Sequence, residues 1–282
     1  MKRGSFLTLL VIIISLTQMN AQEKATGHYA AVNGLQMYYE IHGNGYPLVL
    51  LHGGGSTIET TYGHVLPELA KTHKIIAVEL QAHGHTKDID RPLSFEQDAD
   101  DVAALLKQLQ ISKADIMGFS NGGTTSLQIA IRHPELVNKL VLMSACSKRE
   151  GMLPGFFDGF DNVKLSAMPK PLQDAYLKSN PDPKGLQAMF ERDVARMANF
   201  KDIDNSLIHA IQSPALVLNG YRDVVRPEHA LELARLLPNA QAAILPGGHG
   251  DYIGEICAPN PNSKIPLLVV EMINEFLSGS DR

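Results

Sequence analysis

Three residues whose side chains can cooperate in nucleophilic catalysis occur along the chain in the order Ser, Asp, His. Ser120 lies in GFSNG (residues 118–122), Asp223 in LNGYRDVV and His249 in PGGHGDY. A serine hydroxyl is a weak nucleophile at neutral pH unless a base takes its proton and a third group orients that base. The set therefore predicts Ser120 as nucleophile, His249 as base and Asp223 as the orienting acid.

Each of these residues also has a plainer interpretation. Ser120 follows the apolar stretch ADIM and precedes the helix-like stretch GGTTSLQIAIRH, and serine is favoured at such a helix start because its oxygen accepts a backbone hydrogen bond. Asp223 could stabilise a turn and His249 could be a solvated loop residue. A sharp strand-to-helix turn between glycines also lifts a serine hydroxyl clear of the sheet, so the cap and the nucleophile are compatible roles.

The glycine-rich stretch LLHGGGST, at residues 50–57, is a second candidate element of the site. A carbonyl attacked by serine develops a negative oxygen, which needs N–H donors unobstructed by side chains. The backbone N–H groups of Gly54 and Asn121 are the predicted donors of this oxyanion hole, with Gly55 as a third candidate. An ordinary glycine turn is the alternative.

The elements that would position these residues follow from the alternation of short apolar runs and helix-like segments. Wholly apolar runs predict strands buried on both faces of a mostly parallel sheet; they lie at residues 47–55, 74–80, 114–118, 139–145, 214–220 and 242–248. Helices between the strands make βαβ units. Ser120, Asp223 and His249 then emerge at the same carboxyl-terminal edge of the sheet.

Two local patterns refine this prediction. Residues 35–43 read as a further strand closed by Gly43-Asn44-Gly45, which predicts a first hairpin. Ser94 followed three residues later by Gln97 is a capping-box pattern at the start of a helix.

One interval, residues 147–212, contains no strand-like run. A connection of this length predicts a helical cap inserted between the sixth and seventh strands, with residues 22–146 and 213–282 forming the core. We expect most of the large apolar residues of this insertion to form its own core and a minority to face a pocket. They are Met152, Phe156, Phe157, Phe160, Met168, Tyr176, Met189, Phe190, Met197 and Phe200.

The first 21 residues have the plan of a secretory signal peptide: a basic start, the apolar segment FLTLLVIIISL and a polar exit. A segment of 11 residues is too short to span a bilayer, which takes about 20. We therefore expect an exported protein, periplasmic or secreted, cut near Ala21, with no stable membrane anchor.

Composition limits the partners. The 282 residues carry a net charge of −5, without long blocks of one sign, which disfavours a nucleic-acid partner. Cys146 and Cys257 are too few for a disulfide framework, and whether they pair in an oxidising compartment stays open, as does the oligomeric state. A small-molecule substrate is the expected partner.

The ordered set His52-Gly53-Gly54, GFSNG, Asp223 and His249 resembles that of small, capped, esterase-like serine hydrolases with the α/β-hydrolase fold. The resemblance covers about residues 35–277 and implies that neither a cofactor nor a metal is needed. In the stretch VELQAHGHT, which begins at residue 78, the chain has Glu, Ala and Thr where that family usually has Asp, Gly and Ser.

His83 and His85 lie in the same turn without carboxylate partners. Two histidines alone predict a structural role rather than a metal site.

The resemblance implies hydrolysis of a carboxylic ester of a small, apolar substrate through an acyl-enzyme. C–C bond hydrolases, cofactor-free haloperoxidases and acyltransferases of this fold share the triad, so these activities stay open as alternatives. So does a ligand sensor with little turnover. Epoxide hydrolases and dehalogenases of the fold use an aspartate as nucleophile, so Ser120 argues against both.

Overall fold

A computed structural model describes residues 27–279. The predicted signal peptide, residues 1–21, lies outside the described residues. Within residues 27–279, no helix is both long and apolar enough to cross a membrane.

Eight strands form one sheet in the order β1-β2-β4-β3-β5-β6-β7-β8, and all neighbours from β4 to β8 are parallel. The strands are β1 Gly27–Val32, β2 Leu35–His42, β3 Tyr46–Leu51, β4 His73–Glu79, β5 Ala114–Phe119, β6 Val137–Met143, β7 Ala215–Gly220 and β8 Ala240–Leu245. The mostly parallel sheet predicted from the sequence is confirmed.

The predicted position of the first hairpin is wrong. Strand β2 pairs with β1 across the turn at Asn33 and Gly34, and with β4 on its other side, both antiparallel. Gly43-Asn44-Gly45 leads instead into β3, which pairs with β4 and β5. The true turn is an Asn-Gly pair, with φ of 47° and 85° at its two residues, as a tight hairpin requires.

Helices cover both faces of the sheet. They are α1 Ile58–Tyr62, α2 Leu66–Leu69, α3 Phe95–Gln108, α4 Asn121–Arg132, α5 Lys170–Ser179, α6 Pro183–Ala198, α7 Asn205–His209, α8 Pro227–Leu236 and α9 Ile265–Ser278. Apolar residues of α3, α4, α7 and α8 pack on one face, and those of α1, α2 and α9 on the other.

Strand β3 shows why wholly apolar runs became central strands. Leu48 and Leu50 belong to the hydrophobic cluster on one face, while Val49 and Leu51 belong to the cluster on the opposite face, and all four are fully buried. Successive side chains of a strand point to opposite faces, so a strand with helices on both sides needs every residue apolar.

The start of α3 forms half of the predicted capping box. The Ser94 hydroxyl accepts the Gln97 N–H at 3.1 Å. The Gln97 side chain does not return to Ser94 but donates to Asp101 at 2.9 Å, because Asp101 is buried one helical turn further on. The hydrogen bond from the Gln97 N–H to Ser94 is therefore confirmed, and the prediction of a return bond from the Gln97 side chain is wrong.

The insertion between β6 and β7 contains α5, α6 and α7 together with short 3-10 turns. Its apolar residues form two clusters apart from the two main cores. Cys146, at the start of this segment, is a buried free thiol, and Cys257 is an exposed free thiol.

Candidate active site

Ser120 occupies the turn between β5 and α4. Its backbone angles are φ 55° and ψ −118°, a region that residues with a side chain adopt only under strain. It stands at the first cap position of α4, but its hydroxyl makes no capping hydrogen bond. Ser120 Oγ lies 3.1 Å from His249 Nε2 instead. Both interpretations of Ser120 therefore hold in part. Its backbone begins helix α4, and its side chain pairs with His249.

Glycines flank this turn because the backbone passes too close for side chains. A Cβ on Gly118 would lie 2.1 Å from the carbonyl oxygen of Gly122. A Cβ on Gly122 would lie 2.1 Å from the carbonyl oxygen of Leu51, in β3. The close packing of α4 against β3 and β5 therefore depends on these two glycines.

His249 links Ser120 to Asp223. Its Nδ1 lies 2.7 Å from Asp223 Oδ1, on the ring edge opposite the contact with Ser120. The Asp223 side chain is fully buried, whereas that of His249 keeps 31% of its surface exposed. The three residues predicted from separate stretches are thus brought into one hydrogen-bonded chain at the carboxyl-terminal edge of the sheet.

Asp223 is held by more than His249. Ser144 Oγ donates to its Oδ2 at 2.6 Å, and the Val225 N–H donates to its Oδ1 at 3.0 Å. The Tyr252 hydroxyl lies 2.7 Å from Ser144 Oγ. Burial opposes ionisation of Asp223, but the hydrogen bonds and the charge of His249 outweigh it and hold the pKa of Asp223 below its ordinary value. Asp223 is therefore set up as a carboxylate that orients the His249 ring.

Gly54 and Asn121, the predicted oxyanion donors, lie side by side. A Cβ on Gly54 would lie 2.4 Å from Asn121 Nδ2. The expectation for Gly55 as a third donor is wrong in this structure, because its N–H donates to Asp193 Oδ2 at 2.6 Å. Only Gly54 and Asn121 stay as candidates from the original three.

His52 holds the glycine stretch from beneath. It is fully buried, its Nε2 accepts the Leu80 N–H at 3.0 Å, and its Nδ1 lies 2.7 Å from the carbonyl oxygen of Gly53. Because Nε2 accepts a hydrogen bond, the ring proton must be on Nδ1, which donates to Gly53. Burial lowers the pKa of His52 to about 3, so the ring stays neutral. It links the glycine stretch to Leu80 through its two hydrogen bonds.

His83 and His85 do have carboxylate partners, contrary to the sequence-based expectation. His83 Nε2 lies 2.9 Å from Asp193 Oδ2, and His85 Nδ1 lies 2.9 Å from Glu79 Oε2. Asp193 comes from the insertion, 110 residues further along the chain, so the local sequence could not reveal it. Among the described residues, no group of three or more His, Cys, Asp or Glu side chains could hold a metal ion.

A cavity of about 510 Å³ opens over Ser120 and His249. Its wall is mostly apolar and is supplied largely by the insertion. Among the described side chains, those of Asp158 and Asp193 are the acidic ones on this wall, and no described lysine or arginine lines it. The cavity therefore suits an apolar, uncharged group next to the serine.

The insertion contributes more to this cavity than we expected. Of its ten large Met, Phe and Tyr residues, eight line the cavity, whereas we expected a minority to do so. These side chains also pack on one another in the two clusters of the insertion. The same side chains thus pack into the core of the insertion and also line the pocket. Residue type alone does not show which large apolar residues will do both.

Three residues of the site were missed in the sequence. Ser144 lies just beyond β6, Tyr252 lies in the 3-10 turn Asp251–Ile253 and Asp193 lies in α6. None belongs to a motif with fixed spacing from Ser120. The signal for Ser144 was its position near the end of the predicted run 139–145, at the same sheet edge as the triad.

Several known proteins are similar to this chain. Residues 46–182 match the family model for the alpha/beta hydrolase fold. The human serine hydrolase BPHL is 27% identical over 243 residues, covering 79% of each chain. The 2-hydroxymuconate semialdehyde hydrolase of Pseudomonas sp. strain CF600 is 34% identical over 132 residues, 45% of this chain and 47% of that protein.

A solved structure shares the fold. The 2-hydroxy-6-oxo-6-phenylhexa-2,4-dienoate hydrolase of Rhodococcus sp. strain RHA1 superposes with a TM-score of 0.75 over 91% of this chain and 99% of that one, at 18% identity. The chain therefore has the α/β-hydrolase fold. Serine hydrolases are among the proteins to which it is similar.

Proposed function

We propose that the protein is a serine hydrolase that cleaves a neutral carboxylic ester with an apolar acyl or alcohol group. The hydrogen-bonded chain from Ser120 through His249 to Asp223, opening into an apolar cavity, is the observation that carries the proposal. Each partner in it has a distinct environment: a strained serine, a half-buried histidine and a buried carboxylate.

The reaction proceeds in two halves. Ser120 Oγ attacks the ester carbonyl carbon while its proton passes to His249 Nε2, and the resulting oxyanion is bound by the N–H groups of Gly54 and Asn121. The bond from carbon to the alcohol oxygen then breaks, and His249 returns the proton to the leaving alcohol. Water attacks the acyl-enzyme in the same way, releasing the acid and restoring Ser120. Asp223 keeps the ring oriented throughout.

The charge of the cavity wall supports an ester over the main alternative, a C–C bond hydrolase substrate. Two of the proteins to which this chain is similar are named for a muconate semialdehyde and a dienoate, both of which carry a carboxylate. A carboxylate entering this cavity would meet Asp158 and Asp193 and no lysine or arginine of the described chain. Burying an unpaired anion is costly, which favours a neutral substrate.

A panel of 4-nitrophenyl esters tests this proposal. The acetate, butyrate and octanoate are compared with the anionic hemisuccinate, on the wild type, on Ser120→Ala and on Ser206→Ala, a surface serine of α7. We expect neutral esters to react at least about tenfold faster than the anionic one. Ser120→Ala should be inactive and Ser206→Ala should match the wild type.

The same assays include the alternatives. Wild-type-like turnover by Ser120→Ala, or faster cleavage of 2-hydroxymuconate semialdehyde than of any ester, would overturn the proposal. A burst of nitrophenol without steady turnover would indicate a sensor. Ester formation from an added alcohol in excess of hydrolysis would indicate an acyltransferase.

We also propose that the protein is exported, as its first 21 residues suggest. Fractionation of expressing cells and sequencing of the mature amino terminus test this. Retention of residues 1–21 on protein in the cytoplasmic fraction would contradict it.

A further inference from the structure

Asp193 reaches out of the insertion into the active site. It lies in α6, and its Oδ2 accepts the Gly55 N–H at 2.6 Å and lies 2.9 Å from His83 Nε2. Its other oxygen, Oδ1, accepts a hydrogen bond from the Arg196 guanidinium. A single carboxylate thus joins a cap helix to the glycine stretch that carries a predicted oxyanion donor.

The proton positions around Asp193 follow from the surrounding contacts. His83 Nδ1 lies 2.8 Å from the carbonyl oxygen of Gln81, so this nitrogen carries a proton. Burial disfavours a charge on His83, but the neighbouring carboxylate of Asp193 outweighs it and raises the pKa of His83. Gly55 N–H and His83 Nε2 therefore both lie against the same carboxylate oxygen, at 2.6 Å and 2.9 Å, and 3.2 Å from each other.

Asp193 itself is held as an anion. Burial opposes its ionisation, yet His83 and Arg196 together keep the pKa of Asp193 well below its ordinary value. Arg196 in turn binds Asp98 of α3 at 2.7 Å, with both side chains about 2% exposed. The Asp193 carboxylate is therefore held by three groups: the Gly55 N–H, the His83 ring and the Arg196 guanidinium.

The position of Asp193 bears on the oxyanion hole. A Cβ on Gly54 would lie 3.3 Å from Asp193 Oδ2, so the carboxylate borders the residue whose N–H is the predicted donor. Gly53, Gly54 and Gly55 form a run of three glycines, and Gly55 has φ +66°. Such a run has high backbone freedom, and an anchor at Gly55 restricts it.

We propose that Asp193 is a positioning residue of the oxyanion hole, which fixes the Gly54 N–H by clamping the neighbouring Gly55 N–H to the cap helix. This inference rests on the proposed serine-hydrolase function and deepens it. It makes the activity of Ser120 depend on the seating of the cap, although the cap contains none of the three triad residues. It also explains why a carboxylate is tolerated beside a site that must bind a developing negative charge: both of its oxygens are already committed.

A purely structural cap anchor makes different predictions. Loss of an anchor would lower stability and weaken binding of any ligand that fills the cavity. Loss of an oxyanion-positioning residue would lower kcat more than it changes KM, because the oxyanion exists only in the transition state.

The test compares Asp193→Ala and Asp193→Asn with Asp174→Asn, which removes a charge from an exposed position of the insertion, on α5 and outside the cavity lining. Each is assayed with 4-nitrophenyl butyrate, and each is titrated with a trifluoromethyl ketone, which forms an oxyanion adduct with serine, and with the matching unreactive methyl ketone. Circular dichroism and thermal unfolding establish which variants are folded.

For Asp193→Ala we expect kcat to fall about 100-fold with KM nearly unchanged, similar to the loss of an oxyanion donor. Asp193→Asn should lose about tenfold, because its amide oxygen still accepts from Gly55 but no longer pairs with His83 and Arg196 as an anion. Affinity for the trifluoromethyl ketone should fall in parallel with kcat, and affinity for the methyl ketone should not. Asp174→Asn should match the wild type.

An unchanged kcat in folded Asp193→Asn, or equal losses of affinity for both ketones, would overturn the inference. If Asp193→Ala does not fold, Asp193→Asn alone decides by the same two readouts. Ser120→Ala separates the two levels: activity in that variant would defeat the proposed function itself, whereas an inactive Ser120→Ala beside a fully active Asp193→Asn would defeat only the role of Asp193.

Discussion

Ser144 donates a hydrogen bond of 2.6 Å to the carboxylate of Asp223, from a backbone with φ 48°. A residue with a side chain is strained in that region, and such strain persists only where surrounding contacts enforce it. Here the Ser144 N–H donates to the carbonyl oxygen of Leu218, and the Tyr252 hydroxyl lies next to Ser144 Oγ. The strained Ser144 thus donates to Oδ2 of Asp223, the carboxylate oxygen that His249 does not contact.

This contact predicts the effect of Ser144→Ala. A hydrogen bond to a charged group contributes about 1.5–3 kcal/mol, so we expect kcat/KM to fall about tenfold or more. The pKa of Asp223 should rise, because a donor to its ionised form is lost. With one donor fewer, the carboxylate also attracts the protonated His249 ring more strongly, so the acidic limb of the pH–rate profile should move to higher pH.

Ser147→Ala is a suitable control, since Ser147 is also fully buried but faces His229. A pH–rate profile of Ser144→Ala that overlays that of the wild type would contradict the assigned role. Tyr252→Phe should show a smaller shift in the same direction.

The strand-to-helix turn at Ser120 predicts a severe effect for Gly122→Ala. The new methyl group would lie 2.1 Å from the carbonyl oxygen of Leu51, a backbone atom that cannot rotate away. We expect a loss of about 3 kcal/mol or more in the free energy of unfolding, measured by urea denaturation. Gly279→Ala is the control, because its nearest neighbour would be 3.4 Å away. Equal stability of the two variants would contradict this account.

Asp98 predicts a pH-dependent stability. Burial raises its pKa to about 6, although Arg196 lies 2.7 Å away. A carboxyl whose pKa is raised on folding binds protons more tightly in the folded state, so its stabilising contribution is complete below the unfolded pKa of about 3.9 and is lost as pH rises through about 6. Two pKa units correspond to about 3 kcal/mol.

The measurement is the free energy of unfolding of wild type and Asp98→Asn between pH 4 and 7. The wild type should lose stability relative to the variant over this interval. Parallel curves would show that Asp98 has the same pKa in the folded and unfolded chain.

The two thiols should react slowly. Burial raises the pKa of Cys146 to about 12, and burial with the nearby Glu255 raises that of Cys257 to about 11. The thiolate is the reactive form, so at pH 8 Ellman's reagent should label neither within the time that labels a free cysteine. Two thiols per chain should appear on denaturation. Rapid labelling of the folded protein, or their absence after denaturation, would contradict this.

The sheet and the triad residues followed from the sequence for one physical reason. Strands buried on both faces need uninterrupted apolar residues, as in β3, and parallel strands bring their carboxyl ends to one edge. Ser120, Asp223 and His249 each follow such a strand, so their approach could be expected from strand ends alone.

The contacts of the insertion could not be obtained in this way. Asp193 meets Gly55 across 138 residues, and His83 across 110; nothing local marks an acid on an amphipathic helix as a partner of a distant loop. The first hairpin was misplaced for a related reason. Gly43-Asn44-Gly45 and Asn33-Gly34 are both good turns, and only the pairing of β2 with β4 decides between them.

The insertion leaves the sheet after β6 and returns at β7, two strands that are hydrogen-bonded neighbours through pairs such as Leu140 and Ala215. Its length can therefore change in evolution without altering sheet order, and one exchange of sequence can replace most of the pocket wall while Ser120, Asp223 and His249 stay at the same edge of the sheet. Asp193 limits that freedom. A transplanted insertion would change the specificity of the protein. Full activity would also require that the new insertion place a carboxylate within hydrogen-bond distance of the Gly55 N–H.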